Sequence, residues 1–344
     1  MDSLTQIVLG AACGEATLGK KIGNKAMLFG AIGGTIPDLD VIVGRLIYRN
    51  EIHALVFHRG FMHSFLFAFI GAFAFGWLVF KLYDKGKRTG TTVLKDWIGL
   101  FFWALFTHPI LDSFTPYGTQ LFAPFSNYKV AFNNIAVVDP LYTVPFIVPL
   151  IMAMFYKRTH QRRRHLLFIG VGLSSIYMIA TLFNENYVET IFEQSLKDNK
   201  VMYERFQVQP TIFNNVLWYG VAETRSFYYF GFFSHFDKEK NFKNWARIEK
   251  HHGLLPMQHK DLALLAWFSN DYYNITATNE EDEYIFDDLR YPLLNPDDAS
   301  STLFSFTLIK RSGRWDIKNR IPKLNEDPTI ESLFGPMFKR LKGE

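Results

Sequence analysis

The stretch "SFLFAFIGAFAFGWLVFKLY" at residues 64–83 decides the class of fold. It contains no charged residue before Lys81. A helix rises about 1.5 Å per residue, so an apolar run of this length can cross about 30 Å of hydrocarbon. We therefore predict a transmembrane helix at 64–83 and a protein that resides in a membrane.

Five further apolar runs accompany this helix. They are weaker, and several are short enough to form buried core helices or re-entrant segments instead of spans. These runs occupy residues 4–19, 26–43, 97–111, 141–156 and 166–183. Together with 64–83 they predict an α-helical membrane bundle of about 4–6 transmembrane or re-entrant helices.

The pattern changes after residue 184. Short stretches rich in aromatic and β-branched residues, bounded by Gly, Asn and Asp, are typical of β-strands. They lie at 216–236, 271–278 and 302–320. Residues 260–270 read as a helix, and we interpret the acidic stretch "NEEDEYIFDDL" (279–289) as a solvated loop. The prediction is a smaller α+β domain with an antiparallel sheet.

Two domains follow from this change of pattern, a membrane helical domain at 1–183 and a soluble α+β domain at 184–344. Basic residues gather in three connections between apolar runs, at 19–25, 81–95 and 156–165. The positive-inside rule places these connections in the cytoplasm, although Arg45, Arg49 and Arg59 oppose it. The prediction is a multi-pass protein of the cytoplasmic (inner) membrane whose second domain is extracytoplasmic.

Composition excludes several classes of site. The chain has 344 residues and a single cysteine, Cys13, which excludes an internal disulfide and a thiolate metal cluster within one chain. A formal net charge of +4 is small for this length, and the basic residues lie in short loops. We therefore expect the lipid bilayer as a partner and no nucleic acid.

Polar motifs lie at the predicted outer ends of the apolar segments. In "GGTIPDLD" (33–40), Pro37 ends the preceding helix and leaves Asp38 and Asp40 on the exit turn. In "HRGFMHSF" (58–65), Gly60 permits a sharp turn between His58 and His63. A helix cap or an interfacial hydrogen bond is the structural alternative for each motif taken alone.

The motif "FTHPILDSF" (106–114) has the most specific spacing. His108 and Asp112 are four residues apart, so they share one face of a helix and can offer two ligands to one cation. A hydrogen bond between the two inside the bundle is the alternative. Ionisable groups near a membrane are costly to desolvate, which favours a partnered or functional site.

Six side chains form the predicted metal site: Asp38, Asp40, His58, His63, His108 and Asp112. Nitrogen and carboxylate oxygen without sulfur suit zinc, with manganese or iron as alternatives. Three carboxylates brought together would repel one another unless a cation neutralised them. The loop that follows, "DSFTPYGTQLFAPFSN" (112–127), carries turn signals and is expected to be an ordered outer loop over the site.

The segments "MDSLTQ", "GTIPDLDV", "HRGFMHS" and "THPILDSFTPYGTQLFAPFS", taken in this order over residues 1–140, resemble the YdjM/DUF457 family of membrane-bound predicted metal-dependent hydrolases. The resemblance implies a metal-hydrolase role for the six side chains. The family pattern implied by the resemblance has a histidine where this chain has Gln6, so Asp2 or the N-terminal amine is the suggested substitute, or the site holds one metal where relatives hold two.

The expected function is metal-dependent hydrolysis of a phosphoester or ester, on a lipid-linked or amphiphilic substrate, at the outer face of the cytoplasmic membrane. Arg59 and Asp40 are the expected catalytic residues, with the Arg59 guanidinium holding a phosphate or carboxylate or, alternatively, anchoring to lipid headgroups. Two other functions stay open: a divalent-ion transporter, and a regulatory or ligand-sensing membrane protein.

Overall fold

The computed structural model describes residues 1–293, 301–311, 313–320 and 330–343. The chain divides into two compact units. The first contains residues Met1–Val43 and Phe57–Leu182, and the second contains Gly44–Val56 and Phe183–Glu344. The second unit therefore takes a short segment from the first half of the sequence, which the sequence pattern does not predict.

Helices form the first part of the chain, up to Asp198. They are α1 (Ser3–Ile22), α2 (Asn24–Thr35), α3 (Asp40–Ile47), α4 (Glu51–Phe57), α5 (Phe65–Tyr83), α6 (Leu94–Ser113), α7 (Pro140–Met154) and α8 (Gln161–Asp198). α3 continues into the segment Gly44–Val56, and nearly all of α4 belongs to that segment, so these two helices pass into the second unit. α8 also continues into the second unit, because one uninterrupted helix runs past Leu182.

Among the residues that the structure describes, two helices are long and apolar enough to cross a membrane, α5 and α8. A third candidate span is the pair formed by α2 and the segment Pro37–Ile47, which are bent by 42° at the break between them. The predicted helix at 64–83 is confirmed as α5, whereas the expected count of spans is not confirmed. α7, for instance, has only 15 residues.

α1 and α2 pack with their backbones nearly in contact. A Cβ atom placed on Gly10 would lie 2.3 Å from the carbonyl oxygen of Gly30, and one on Gly14 would lie 2.0 Å from that of Ala26. Small residues at such an interface are a common way for helices to associate in membranes. This close approach holds the end of α2, and with it Gly34, beside α1.

Two four-stranded antiparallel sheets dominate the second unit. The first sheet has the order β1 (Arg205–Pro210), β2 (Leu217–Glu223), β3 (Phe227–Ser234) and β4 (Lys243–Glu249). The second has the order β5 (Tyr273–Ala277), β6 (Glu283–Asp288), β7 (Ser305–Arg311) and β8 (Arg314–Asn319). The helices α9 (Lys260–Phe268) and α10 (Ile330–Leu341) complete the unit.

The interpretation of 279–289 as a solvated loop is wrong. β6 occupies Glu283–Asp288 and pairs with β5 and β7. The reason is the alternation within "EYIFDD": Phe286 is fully buried in the core of the second sheet, and Asp288 is buried beside Arg290, with 2.6 Å between Asp288 Oδ2 and a guanidinium nitrogen. A local acidic composition obscured a strand that its neighbours stabilise.

The segment Gly44–Val56 is part of the core of the second unit. Ile52 is fully buried in the hydrophobic cluster that contains Phe286 and Trp315. The side chain of Asn50 donates to the carbonyl oxygen of Trp315 at 2.7 Å, and the amide of Glu51 donates to Asp316 at 3.0 Å. The segment between the two predicted ligand motifs, 33–40 and 58–65, therefore belongs to the second unit.

Candidate metal centre

The break after α2 positions the first two carboxylates. α2 ends at Thr35, and Pro37 begins a single 3₁₀ turn over Pro37–Leu39 that leads directly into α3 at Asp40. Asp38 therefore lies in the turn and Asp40 at the first position of the next helix. The helix thus ends before Pro37, as predicted, but Ile36 keeps right-handed helical dihedrals, so the expected restriction on the residue before proline is not the reason.

The second motif forms a tight turn between α4 and α5. Arg59 has a positive φ of 61°, a left-handed conformation that is uncommon outside glycine and that concentrates at functional sites. His63 closes the 3₁₀ turn Phe61–His63 and is fully buried. Ser64 caps α5, because its side chain accepts from the amide of Phe67.

α6 presents the third motif from one helical face, as the spacing predicts. His108 and Asp112 are both buried, and 3.5 Å separates His108 Nε2 from Asp112 Oδ2. His108 Nδ1 lies 2.7 Å from the carbonyl oxygen of Gly34. Because a carbonyl oxygen only accepts, Nδ1 carries the proton and Nε2 is left with a lone pair for a cation.

Four ligand atoms converge in this unit. The Nε2 atoms of His63 and His108 lie 3.1 Å apart. Asp38 Oδ1 lies 3.4 Å from His63 Nε2 and 3.5 Å from His108 Nε2. Asp112 Oδ2 lies 3.3 Å from His63 Nε2. Ligand atoms about 2.0–2.2 Å from a tetrahedral ion lie about 3.3–3.6 Å from one another, so the donor set fits a metal ion.

One oxygen of the group lacks a hydrogen bond. Asp112 Oδ2 is buried and accepts no hydrogen bond from any residue that the structure describes, although Arg59 Nε and His63 Nε2 each lie 3.3 Å away. A buried acceptor without a donor is costly unless another group, such as a cation, compensates it. This group of buried histidine and aspartate side chains could therefore hold a metal ion.

Asp40 and His58 lie beside this group and do not join its four atoms. Asp40 Oδ1 lies 2.7 Å from His58 Nδ1, and Asp40 Oδ2 lies 3.0 Å from His63 Nδ1. The amide of Arg59 donates to Asp40 Oδ2 at 2.9 Å. Asp40, His58 and His63 form a second group, of three residues, whose ligand atoms are also close enough for a cation. The structure thus brings all six predicted residues together, in two groups that share His63.

The electrostatics of His63 reflect the surrounding carboxylates. Burial by itself lowers the pKa of this imidazole, but contacts with Asp112, Asp38 and Asp40 outweigh burial and raise the pKa to about 10. A position that holds a proton this strongly is one where a positive charge is favoured. A metal cation bound by the same atoms would supply that charge in place of the proton.

Arg59 points into the molecule. Its guanidinium donates to the Thr115 hydroxyl at 2.7 Å, Nε lies 3.3 Å from Asp112 Oδ2, and the group stacks over the ring of Tyr117 at 4.7 Å. The side chain is buried, which does not fit the alternative of an anchor to lipid headgroups. Tyr117 therefore touches the site, as expected for the loop that follows α6.

Gln6 and the amine of Met1 contact the other oxygen of Asp112. The Gln6 side-chain amide donates to Asp112 Oδ1 at 2.8 Å, and the amine donates to the same oxygen at 2.5 Å. In this arrangement Gln6 orients a carboxylate. The sequence could not identify the carbonyl of Gly34 or the hydroxyl of Thr115 as partners, because neither residue type carries a recognisable signal.

The comparisons with known proteins agree with the motifs. A family model described as YdjM inner membrane protein matches residues 1–188. The uncharacterized protein YfhP of Bacillus subtilis (strain 168) is 29% identical over 150 residues, a match that covers 41% of this chain and 42% of that relative. This chain thus spans less than half the length of that relative. No solved structure matches this chain. Since the family model covers more than half of the chain, the protein belongs to the YdjM inner membrane protein family.

Proposed function

We propose that this protein is a membrane-bound, metal-dependent hydrolase that cleaves a phosphoester or an ester at the outer face of the cytoplasmic membrane. The observation that carries the proposal is the convergence of Asp38, His63, His108 and Asp112 at separations expected around one ion. Zinc suits two imidazoles and two carboxylates, and manganese or iron would bind the same donors.

The proposed site is accessible from one side. Asp38 is the exposed member of the four ligands, with 20% of its side chain accessible, whereas the other three are almost fully buried. These four residues would hold the ion, and hydrolysis would also need room beside it for a water molecule or the substrate. The exposed edge at Asp38 is the place where a substrate or a water molecule would enter.

A bound divalent cation would lower the pKa of a coordinated water toward about 7 and polarise the scissile carbonyl or phosphoryl oxygen. The residues around it supply orientation. His108 is held through its second nitrogen by the Gly34 carbonyl at 2.7 Å, a contact that fixes the ring and its tautomer and keeps Nε2 directed at the site. The Asp40 carboxylate lies 3.0 Å from the second nitrogen of His63 and supplies a negative charge beside that ring.

We assign proton transfer to His58. Asp40 Oδ1 lies 2.7 Å from its Nδ1, so Nδ1 holds a proton toward the carboxylate and Nε2 is the basic atom. The side chain of His58 is 24% exposed, so Nε2 is within reach of a substrate or of water. Asp40 thus acts as an orienting group for His58, and Arg59 holds Asp112 while its charge favours an anionic substrate.

The test begins with the metal content of the full chain purified in detergent. It continues with a screen of chromogenic phosphoesters and esters, with and without a chelator. We expect about one divalent ion per chain, hydrolysis that the chelator abolishes, and recovery when the metal is restored. Hydrolysis that is indifferent to the chelator would contradict the proposal.

Two histidine variants distinguish the proposed proton-transfer role of His58 from the proposed metal-binding role of His108. His58→Gln should keep the bound metal and lose hydrolysis by about 10²–10⁴-fold, the usual contribution of general acid–base catalysis. His108→Ala should lose the metal and the activity together. His160→Ala is the matched control, because His160 is exposed on the connection between α7 and α8 and should behave as wild type.

A second function has one observation in its favour. The ligand turn lies at the 42° break between α2 and the segment Pro37–Ile47, and interrupted helices carry the ion sites of many transporters. A filled four-ligand shell also suits binding without catalysis. Metal-dependent flux into vesicles reconstituted with the protein, in the absence of any ester cleavage, would favour divalent-ion transport over hydrolysis.

A further inference from the structure

The loop at residues 119–132, which we call the aromatic loop, exposes large apolar rings. Phe125 is 84% exposed and Tyr128 is 67% exposed, and Phe122 and Phe132 are exposed as well. No charged residue lies between Asp112 and Lys129. A surface of this composition on an aqueous protein would be an aggregation hazard unless another apolar phase covered it.

The exposure belongs to an ordered conformation of the aromatic loop. Thr119 and Val130 exchange backbone hydrogen bonds of 3.0 and 2.9 Å, which closes the loop at its base. The amide of Gln120 donates to the carbonyl of Arg59 at 3.1 Å, and that of Phe132 donates to Ser113 at 2.8 Å. The rings are therefore held outward by backbone bonds that also connect the loop to the candidate metal centre.

The aromatic loop is joined to the first residue of the clearest membrane span. The amide of Phe65, where α5 begins, donates to the carbonyl of Leu121 at 3.0 Å. The rings of Phe65 and Phe122 meet edge to face with centroids 5.7 Å apart. Along α5, Phe69 and Phe73 are also exposed, as expected for a face that meets lipid. The exposed rings of the loop thus lie at the end of a helix that passes into hydrocarbon.

We propose that the aromatic loop is a membrane-inserted surface, in which Phe122, Phe125 and Tyr128 enter the interfacial zone of the bilayer beside the start of α5. Aromatic rings favour that zone, because they combine apolar area with a polar or polarisable edge. The bonding to Phe65 decides for lipid over a protein partner, because it fixes the loop at the level where the span begins. The inference does not use the hydrolase activity.

The test measures the depth of spin labels on single cysteines in the full chain. The native cysteine is removed by Cys13→Ala, and Phe125→Cys and Tyr128→Cys are labelled in vesicles of phosphatidylcholine and phosphatidylglycerol. Phe73→Cys on α5 serves as the lipid reference, and Glu239→Cys, on an exposed turn of the second unit, serves as the aqueous reference.

The measured quantity is the ratio of the label's collision rate with oxygen to its collision rate with a water-soluble nickel chelate. We expect this ratio to be several-fold higher at positions 125 and 128 than at position 239. It should be lower there than at position 73, since the loop enters the bilayer less deeply than α5. An aqueous ratio at both positions would overturn the proposal. So would a label shielded from both quenchers, which would indicate a second copy of the chain or another protein on this surface. Metal content, measured on the same samples, tests the metal site separately, since the label positions do not contact its ligands.

Discussion

Each unit of the molecule contains a cluster of charges around a buried carboxylate, and the two clusters are built differently. In the second unit, one carboxylate, Glu223, meets two cations, with Lys250 Nζ at 2.5 Å from Oε1 and the Arg205 guanidinium bonded to Oε2. The Tyr228 hydroxyl lies 3.5 Å from the same carboxylate. Positive charge matches or exceeds negative charge there without any added ion.

The first unit has a different composition, because imidazoles take the place of most permanent cations. Three carboxylates gather around three imidazoles, and only Asp112 faces a guanidinium and an amine. Asp38 and Asp40 face histidines. The comparison suggests a working distinction: a cluster in which carboxylates meet permanent cations is structural, whereas carboxylates that meet imidazoles could hold a metal ion in place of protons.

The largest effect is expected when the central carboxylate of each cluster is replaced by the nearly isosteric amide, which removes one negative charge. Asp112→Asn should lose bound metal on purification, because it replaces a ligand and leaves Arg59 without its partner. Glu223→Gln should keep the wild-type metal content and show a lower midpoint of unfolding. Elemental analysis and thermal unfolding of both variants provide the measurements. Equal metal content in the two variants would abolish the distinction between the clusters.

The next effect tests whether Gly44–Val56 belongs to the second unit. Ile52→Ala should reduce the free energy of unfolding of that unit by about 2–5 kcal/mol, since Ile52 is fully buried in its core. Leu46→Ala is the matched control on the same segment, because Leu46 is exposed and should change stability by less than about 0.5 kcal/mol. Denaturant titration followed by tryptophan fluorescence measures both. Similar values for the two variants would separate the segment from this core.

A smaller effect is expected from Asp40→Asn. If Asp40 orients His63 and His58 without binding the ion, the variant should bind metal about 10–100-fold more weakly at an unchanged number of ions per chain. Competition with a chelator of known affinity measures this change. Two ions per chain in the wild type and one in the variant would instead assign Asp40, His58 and His63 to a second metal, which the geometry of that group also permits.

The smallest expected effect is on how the stability of the second unit depends on pH, through the cluster around Glu223. Burial opposes ionisation of Glu223, but the bonds from Lys250 and Arg205 prevail and lower its pKa. Because the folded-state pKa is depressed, these ion pairs stabilise the second unit above the ordinary glutamate pKa of 4.5 and are lost as the pH falls through the lower value. Wild type should lose more stability on acidification than Glu223→Gln. Parallel losses in the two proteins, measured by denaturant titration at several pH values, would count against this account.

Part of the candidate site could be predicted from local rules. The four-residue spacing of His108 and Asp112 defines a shared face of α6 before any packing is known. Pro37 has no backbone N–H with which to continue α2, and Asp38 follows it in a turn. Each of these inferences needs only the geometry of one helix and its end.

The inward direction of Arg59 could not be predicted, and neither could the burial of Arg163. Arg163 lies in the basic connection that we used for topology, yet its guanidinium is buried against Glu15 with two bonds of 2.6 Å. The strand β6 was hidden in the same way, because its acidic flanks suggested a loop while β5 and β7 supply its stabilisation. In each case the decisive partner lies far away along the chain.

The sequence by itself determined the membrane span at α5, the change to β-structure in the second half, and the residue types that can bind a cation, because these follow from hydropathy, periodicity and donor chemistry. Only the tertiary structure decided which four donors face one another, that Asp40 lies between His58 and His63, and that Gly44–Val56 packs in the second unit. Distances between segments depend on packing across many residues, and local patterns do not encode them.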